Sequence, residues 1–172
     1  MVKRDRRKSC PVFDLGVVKM AIEKVKAYFE QFGMKDKIIE LETSSATVEL
    51  AAAALGVAPE RIAKTLSFSV DGKVVLVVAA GDARIDNPKF KATFHTKASM
   101  LSRDEAEEKI GHAVGGVCPF AVNDGVEVYL DESLKRFETV FPAAGSSNSA
   151  IELTLEELEN YSKALGWVDV SK

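Results

Sequence analysis

Apolar residues near the start of the chain recur at the spacing of an amphipathic helix. We predict this helix between Asp14, a candidate N-cap, and Gly33, a residue typical of a C-terminal stop. Its apolar face, expected to pack on a core, consists of Ile22, Val25, Phe29 and Phe32. A short apolar run then predicts a strand at Ile38–Leu41.

The middle of the chain has the pattern of a β-hairpin. Apolar and polar residues alternate over Lys64–Val70, whereas Lys73–Ala80 is nearly continuous in Val and Ala, as in a strand covered on both faces. Asp71-Gly72 lies between the two runs, and this dipeptide is a strong signal for a two-residue hairpin turn.

Caps and turns mark the other elements. Thr47 and Gly56 bound an alanine-rich helix, and Ser102 and Thr154 each begin a capping-box pattern. Because Gly115, Gly116 and Pro119 interrupt the apolar stretch Val114–Val122, it is not expected to form a plain central strand. The remaining predictions are helices at Val48–Leu55, Pro88–Phe94, Ser102–Gly111, Glu132–Phe137 and Thr154–Leu165, and strands at Val126–Leu130, Thr139–Phe141 and Ile151–Leu153. This mixture predicts one α+β domain with helices around a mixed or largely antiparallel sheet.

Composition agrees with a single globular domain. The chain has 172 residues, 47% of them hydrophobic and 28% charged, and such a chain can bury a core without disulfides or metals. No apolar run reaches the length of a membrane span. The two cysteines, Cys10 and Cys118, lie far apart, so neither a disulfide nor a zinc framework is expected. With no signal-like segment, we expect a cytoplasmic protein.

The charge argues against a general DNA-binding protein, because the net charge is −3. The first ten residues nevertheless contain five basic residues and one acidic residue. This tail is either a nucleic-acid arm or a solvated, frayed terminus.

Motifs of several common enzyme classes are missing. GxGxxG, GxxxxGK[ST], HExxH and GxSxG are all absent, so nucleotide-binding, zinc-protease and common serine-hydrolase functions lack support, and we expect no cofactor and no metal. The two histidines, His95 and His112, have no second ligand at metal spacing. Each is expected to be a surface or packing residue.

Lys64 is the first candidate for chemistry. It shares the parity of Leu66 and Phe68, so its side chain is expected on the apolar face of the strand. Such a lysine must reach solvent at the strand end or find an anion, a carbonyl or a carboxylate. Two interpretations remain open: a side chain that extends to the rim, or a lysine at the mouth of a pocket.

Two loops and a thiol are the other candidates. The glycines of Gly111–Phe120 would allow a ligand to approach backbone N–H groups that stabilise an oxyanion, or they would mark a bulge. The small polar loop Ala143–Ser149 either lines a pocket or forms a turn in solvent. Cys118 is six residues from His112, but in an apolar stretch we expect an inert packing thiol rather than a nucleophile.

These segments, in their order along the chain, resemble the YbaK/EbsC-like aminoacyl-tRNA deacylases, a family that includes the inserted editing domain of bacterial prolyl-tRNA synthetase. The resemblance extends from about Ile38 to Leu165. The segments that carry it are Gly56-Val57-Ala58-Pro59-Glu60, Ile62-Ala63-Lys64-Thr65-Leu66, Gly81-Asp82, Gly115-Gly116-Val117-Cys118-Pro119-Phe120 and Ala144-Gly145-Ser146.

The resemblance implies a curled mixed, largely antiparallel sheet or partial barrel flanked by helices. From the charge of the first residues we expect a basic, flexible tail over residues 1–12, and together with the resemblance this predicts one editing domain over residues 13–172. Family members hydrolyse the ester between a wrong amino acid and tRNA, typically cysteine or alanine on proline tRNA. Lys64 matches the lysine on which their activity depends. The substrate-binding residues implied are Thr65, Gly115, Gly116, Val117, Cys118, Pro119, Gly145 and Ser146.

In such a site Lys64 would orient the terminal ribose, the phosphate or the ester carbonyl, and the nucleophile would be water or the thiol of a bound cysteine. The family loop usually has serine where this chain has Cys118, a swap that leaves the backbone path intact. Cysteine-specific members tend to carry a basic residue and another glycine where this chain has Gly145-Ser146-Ser147-Asn148, so the resemblance leaves the amino acid open.

The expected partner is the 3′ end of an aminoacyl-tRNA, with no membrane and no DNA. Because 172 residues leave no room for a synthetase module, we expect a protein that acts in trans, with prolyl-tRNA synthetase as an alternative source of tRNA affinity. Two other functions stay open: a non-hydrolytic module that senses an amino acid or charged tRNA or docks on a synthetase, and a scaffold in which Lys64 is inert.

Overall fold

The computed structural model describes residues 15–43, 47–112 and 117–172. Within them five α-helices lie around a mixed sheet that curls into a half-barrel. The helices are α1 Leu15–Glu30, α2 Val48–Leu55, α3 Asn87–Phe94, α4 Arg103–Ile110 and α5 Leu155–Ser162. The strands are β1 Ile38–Glu40, β2 Ile62–Val70, β3 Lys73–Ala80, β4 Glu127–Asp131, β5 Thr139–Pro142, β6 Ser149–Ile151, β7 Leu153–Thr154 and β8 Gly166–Val168.

The strands form two sheets. A six-stranded sheet has the order β7-β5-β2-β3-β4-β8, and β1 pairs with β6 in a two-stranded sheet. The longest ladder, between β2 and β3, is antiparallel, whereas β2 with β5, β3 with β4, and β4 with β8 are parallel. The expected mixed sheet is therefore confirmed.

The predicted hairpin is present in the register that the sequence indicates. Val70 pairs with Lys73, and the two turn residues have positive φ angles, 49° at Asp71 and 78° at Gly72. A type I′ turn requires this conformation, which suits the right-handed twist of the two strands. The turn thus sets which residues of β2 face each neighbouring strand.

Side-chain caps begin the helices where the sequence predicts them. Thr47 accepts a hydrogen bond from the N–H of Leu50 at the start of α2. Complete capping boxes join Ser102 to Glu105 at α4 and Thr154 to Glu157 in α5. Each box satisfies two backbone N–H groups that the first helical turn leaves free.

β3 is covered on both faces, as its continuous run of Val and Ala predicts. On one face Leu76 and Val78 belong to the main core with Phe29, and on the other Val75 packs in a second cluster with Phe90. Both clusters exclude water from β3, so the end of this strand is a rigid support for the loop that follows it.

Several predicted details are wrong. Phe32 is 46% exposed instead of buried, and its ring contacts Tyr28 and Tyr161 at the surface. The final helix ends at Ser162, because Lys163 takes a left-handed conformation with φ 53°. The predicted strand Ile151–Leu153 is divided between β6, which pairs with β1, and β7, which pairs with β5. The predicted short helix after β4 is a 3-10 helix at Glu132–Arg136.

The basic tail at residues 1–10, the domain boundary at residue 13 and the helix N-cap Asp14 lie outside the described residues. The division into a tail over 1–12 and a domain over 13–172 therefore stays a prediction. None of the described helices is long and apolar enough to cross a membrane.

Candidate functional site

A cavity of about 420 Å³ opens beside β2. One wall is β2 from Ile62 to Ser67, and Val48 and Ala51 of α2 form another. The remaining walls come from Thr47, Met100, Leu101, Ala106, Val117, Phe141, Ala143, Ser149 and Ala150. Small and apolar side chains predominate, so the cavity suits a small apolar group next to a few polar contacts.

Lys64 and Thr65 bring polar chemistry to this cavity. Lys64 is half-buried and its ammonium group donates to the backbone carbonyl oxygens of Gly81, at 3.3 Å, and Ala83. Of the two interpretations of this lysine, the extension to the rim is wrong, because the side chain ends on two carbonyls. An ammonium group has three donors, so one remains for a ligand.

The loop after β3, whose carbonyl oxygens accept hydrogen bonds from Lys64, is held in place by Ser133 and Arg136. The N–H of Ala80 donates to the hydroxyl of Ser133 at 3.1 Å, and Arg136 forms a two-point ion pair with Asp82 at 3.0 and 2.5 Å. Arg136 also holds the pKa of the Asp82 carboxyl below its usual value. The loop therefore presents its carbonyls in a defined position.

Burial lowers the pKa of the Lys64 ammonium from its ordinary value. The negative charge of Asp82 opposes this shift, and the positive charge of Arg84 adds to it. As an ammonium group, Lys64 keeps one N–H beyond the two that the carbonyl oxygens accept, and in this form it has no lone pair for nucleophilic attack.

The hydroxyl of Thr65 is buried and has no hydrogen-bond partner within the described part of the chain. A buried hydroxyl without a partner costs about 1–3 kcal/mol. Thr65 lines the cavity next to Lys64, so this unpaired group lies at the wall where a ligand would bind.

The structure divides the predicted glycine loop. Gly115 and Gly116 lie outside the described residues, and Val117 lines the cavity. Cys118 is fully buried and Pro119 lines a second, smaller concavity of about 280 Å³. Neither Cys118 nor Pro119 lines the cavity of Lys64.

His112 and Cys118 form a buried pair behind this loop. The backbone N–H of Cys118 donates to Nδ1 of His112 at 3.3 Å, so it is not free to stabilise an oxyanion. Burial lowers the pKa of His112 to about 4 and raises that of the Cys118 thiol to about 12. At neutral pH both groups are uncharged, which confirms the expected packing roles and excludes Cys118 as a thiolate nucleophile.

Gly145 and Ser146 belong to the same supporting layer. Both are buried, and the backbone of Gly145 contacts the thiol of Cys118. The Ser146 hydroxyl is hydrogen-bonded to the Ser149 hydroxyl, at 2.7 Å, and to the side-chain oxygen of Asn148, at 2.9 Å. Ser149 lines the cavity, but Gly145 and Ser146 do not. The turn in solvent is therefore the wrong interpretation of this loop.

Most of the apolar wall was missed from the sequence. Phe141 ends a predicted strand, and Met100 and Ala106 are apolar residue types that do not indicate a function in the sequence. Met100 is 62% exposed in the structure, and the sequence alone gives no sign of this exposure. No group of three His, Cys, Asp or Glu side chains in the described ranges could hold a metal ion.

The fold and the cavity correspond to those of a protein family. A model of the aminoacyl-tRNA editing domain matches residues 42–161, well over half of the chain. The chain belongs to this family. The matched range contains every described residue of the cavity wall.

Two curated proteins are similar in sequence to most of the chain. The uncharacterized protein YwhH of Bacillus subtilis (strain 168) is 55% identical over 154 residues, which are 89% of this chain and 98% of YwhH. Proline–tRNA ligase of Streptococcus equi subsp. equi (strain 4047) is 31% identical over 123 residues, 69% of this chain. The chain spans 19% of that ligase, so the ligase as a whole is a much longer protein.

A solved structure has the same architecture. It is described as a proposed trans-editing enzyme for prolyl tRNA synthetase, and it is 28% identical with a TM-score of 0.80. The similarity covers 88% of this chain and 97% of that one. The expected partial barrel flanked by helices is thereby confirmed.

Proposed function

We propose that the protein hydrolyses mischarged aminoacyl-tRNA in trans, with cysteinyl- or alanyl-tRNA for proline as its substrate. The observation that carries the proposal is the ammonium group of Lys64, fixed by two backbone carbonyls beside a cavity with small apolar walls. Membership of the editing-domain family supports the type of reaction.

In this proposal Lys64 binds and orients the ester end of the tRNA. Its remaining N–H donates to the terminal ribose, a phosphate oxygen or the ester carbonyl. Water adds to the acyl carbon, the bond from that carbon to the ribose oxygen breaks, and the ribose oxygen takes up the proton. The products are a free amino acid and a tRNA with an unesterified terminal hydroxyl.

An activated ester needs mainly positioning and charge stabilisation. Thr65 and Val117, which line the cavity, would contact the acyl group, and Gly115 and Gly116 are proposed as further substrate-binding residues. We assign Cys118, Pro119, Gly145 and Ser146 to a supporting role, because they lie behind the cavity wall or at another concavity.

The lining of the cavity supports an uncharged acyl group. Its apolar wall residues include Ala51, Ala106, Ala143, Ala150 and Phe141. Cysteine and alanine match these apolar walls better than charged side chains. In this mechanism the Lys64 amine does not attack the ester.

Affinity for the body of the tRNA must come from local charge, since the net charge of the chain is −3. We propose weak, salt-sensitive binding of the tRNA, or binding assisted by prolyl-tRNA synthetase, in the cytoplasm where charged tRNA is made. The basic first ten residues are a candidate for part of this contact.

The test is a deacylation panel with the full chain. Cysteinyl-, alanyl- and seryl-tRNA for proline are incubated with the protein, and ester loss is compared with that in buffer and with correctly charged prolyl-tRNA. We expect faster loss of the cysteinyl or alanyl ester and no effect on the prolyl ester. If no ester decays faster than in buffer while charged tRNA binds, the protein is a non-hydrolytic binding module.

A further inference from the structure

The edge of β2 that faces away from β3 has a gap in its strand pairing at Thr65. At one end β5 pairs with β2 only as far as Ala63, opposite Pro142. At the other end a single bridge joins Phe68 to Met100. Within the described part of the chain, neither neighbour pairs with Thr65, and the cavity lies beside this gap.

The register of the hairpin directs the backbone of Thr65 into the gap. Ser69 donates its N–H to the carbonyl of Ser99, and Ser67 accepts from the N–H of Leu101. These residues therefore turn their backbone groups away from β3. Backbone direction alternates along a strand, so Thr65, two residues from Ser67, turns its N–H and carbonyl to the same side.

An edge residue of this kind complements an aminoacyl group. In an antiparallel pair two opposite residues can form two hydrogen bonds. Each residue donates its N–H to the other and accepts a hydrogen bond at its C=O. An amino acid esterified to ribose carries both groups, an α-ammonium donor and a carbonyl acceptor. Extended peptides use the same contacts when they add a strand to a sheet edge.

We propose that the aminoacyl group pairs with Thr65 as one added strand residue. Its α-ammonium donates to the carbonyl oxygen of Thr65, and its ester carbonyl accepts the N–H of Thr65. The Thr65 hydroxyl, which has no partner within the described ranges, accepts a second hydrogen from the ammonium after a rotation about χ1. The inference rests on the proposed function and specifies which part of the substrate this residue recognises.

Two consequences follow for specificity. Thr65 binds the main-chain groups that all amino acids share, so discrimination between side chains is left to the apolar walls of the cavity. A free α-ammonium is preferred: an ester whose amine is acylated keeps one N–H for the carbonyl of Thr65 but loses the positive charge and the hydrogen that the hydroxyl accepts, so it is a poorer substrate.

The test compares Thr65→Val with Thr65→Ser. Valine keeps the branched shape and removes a hydroxyl that has no hydrogen-bond partner among the described residues, so the thermal midpoint should stay unchanged or rise. We expect at least about a 10-fold lower kcat/KM for Thr65→Val and a change of less than about 3-fold for Thr65→Ser, on the best ester of the panel. Full activity in Thr65→Val would overturn the role of the hydroxyl.

The substrate can be changed in the same experiment. N-acetylation of the aminoacyl-tRNA should lower the wild-type rate by at least about 10-fold and should add little to the effect of Thr65→Val, because both changes remove the same contact. Equal hydrolysis of the free and acetylated esters would overturn the recognition of the ammonium.

Binding separates this inference from the proposed reaction. The full chain is titrated with the amide-linked analogue of alanyl-adenosine, which cannot be hydrolysed, while the backbone amide of Thr65 is followed by NMR. We expect a shift of this amide at a lower concentration of this analogue than of its N-acetylated form. If the wild type hydrolyses no ester, the proposed function fails, but the Thr65 amide still decides the inference: no shift overturns it.

Discussion

The ammonium group of Lys64 donates a hydrogen bond to the backbone carbonyl oxygen of Gly81 across 3.3 Å, and it also binds the carbonyl of Ala83. Lys64 lies in β2 and the two carbonyls lie in the loop after β3. The position of the ammonium group thus depends on the path of this loop. Substitutions in this loop should therefore change the deacylation rate through the position of Lys64, without removing a contact to the substrate.

Gly81→Ala is the most direct change to the loop. A Cβ atom there would meet the carbonyl of Pro59 and lie 2.7 Å from Cγ1 of Val48. Overpacking of this kind costs about 1–3 kcal/mol in the free energy of unfolding, which a urea titration measures. Deacylation should fall as well, because the carbonyl that holds Lys64 is displaced.

Gly166→Ala is the matched control for this change. A Cβ atom at Gly166 has nothing within 4 Å and its φ angle is not in the left-handed region. Its unfolding free energy should stay within about 0.5 kcal/mol of the wild type. Equal losses in both variants would contradict the importance of the close approach at Gly81.

His112 should make folding sensitive to acid. Burial lowers its pKa to about 4 in the folded protein from the ordinary histidine value of 6.5, so the unfolded chain binds the proton first as pH falls. The stabilisation is complete above pH 6.5 and decreases between pH 6.5 and 4, by about 3 kcal/mol in total. The measurement is the unfolding free energy across this pH range.

His112→Asn separates this effect from other groups that titrate in acid. The Asn side-chain oxygen can take the place of Nδ1 and accept the N–H of Cys118, but it does not titrate. Its unfolding free energy should change less than that of the wild type between pH 6.5 and 4. Parallel pH curves for the two proteins would show that His112 is not the cause.

Cys118 should be chemically inert in the folded protein, because burial raises the pKa of its thiol to about 12. In a Cys10→Ser background, a thiol reagent at pH 8 should label it only after denaturation. Cys118→Ser should keep deacylation within about 3-fold of wild type, since the thiol takes no part in the mechanism. Rapid labelling of the native protein, or loss of activity with an intact fold, would contradict this role.

Local signals predicted much of the fold. Asp71-Gly72 specified the hairpin, and the capping boxes at Ser102 and Thr154 specified the starts of α4 and α5, because these interactions span only two to four residues. The strand β8, Gly166–Val168, was missed. Its three residues show no alternation, and they become a strand by pairing with β4, far away in the sequence.

The site was predictable only in part. Lys64 was identified because a lysine at an apolar strand position needs a partner, but its partners are backbone carbonyls, which no residue type announces. The cavity joins separate segments, including Ala51, Met100 and Phe141, and only folding brings them together. Cys118 and Gly145 carry the family motif yet lie behind the wall, so position in a motif did not determine contact with the cavity.

The central claim is that the Lys64 ammonium group promotes ester hydrolysis, and single-turnover deacylation by Lys64→Met tests it most directly. Lys73→Met is the control, since Lys73 is 68% exposed at the hairpin and pairs only with Glu127 across 3.6 Å in the described structure. We predict at least about a 100-fold lower rate for Lys64→Met, with cooperative unfolding retained, and the wild-type rate for Lys73→Met. A folded Lys64→Met protein that deacylates at the wild-type rate would contradict the account.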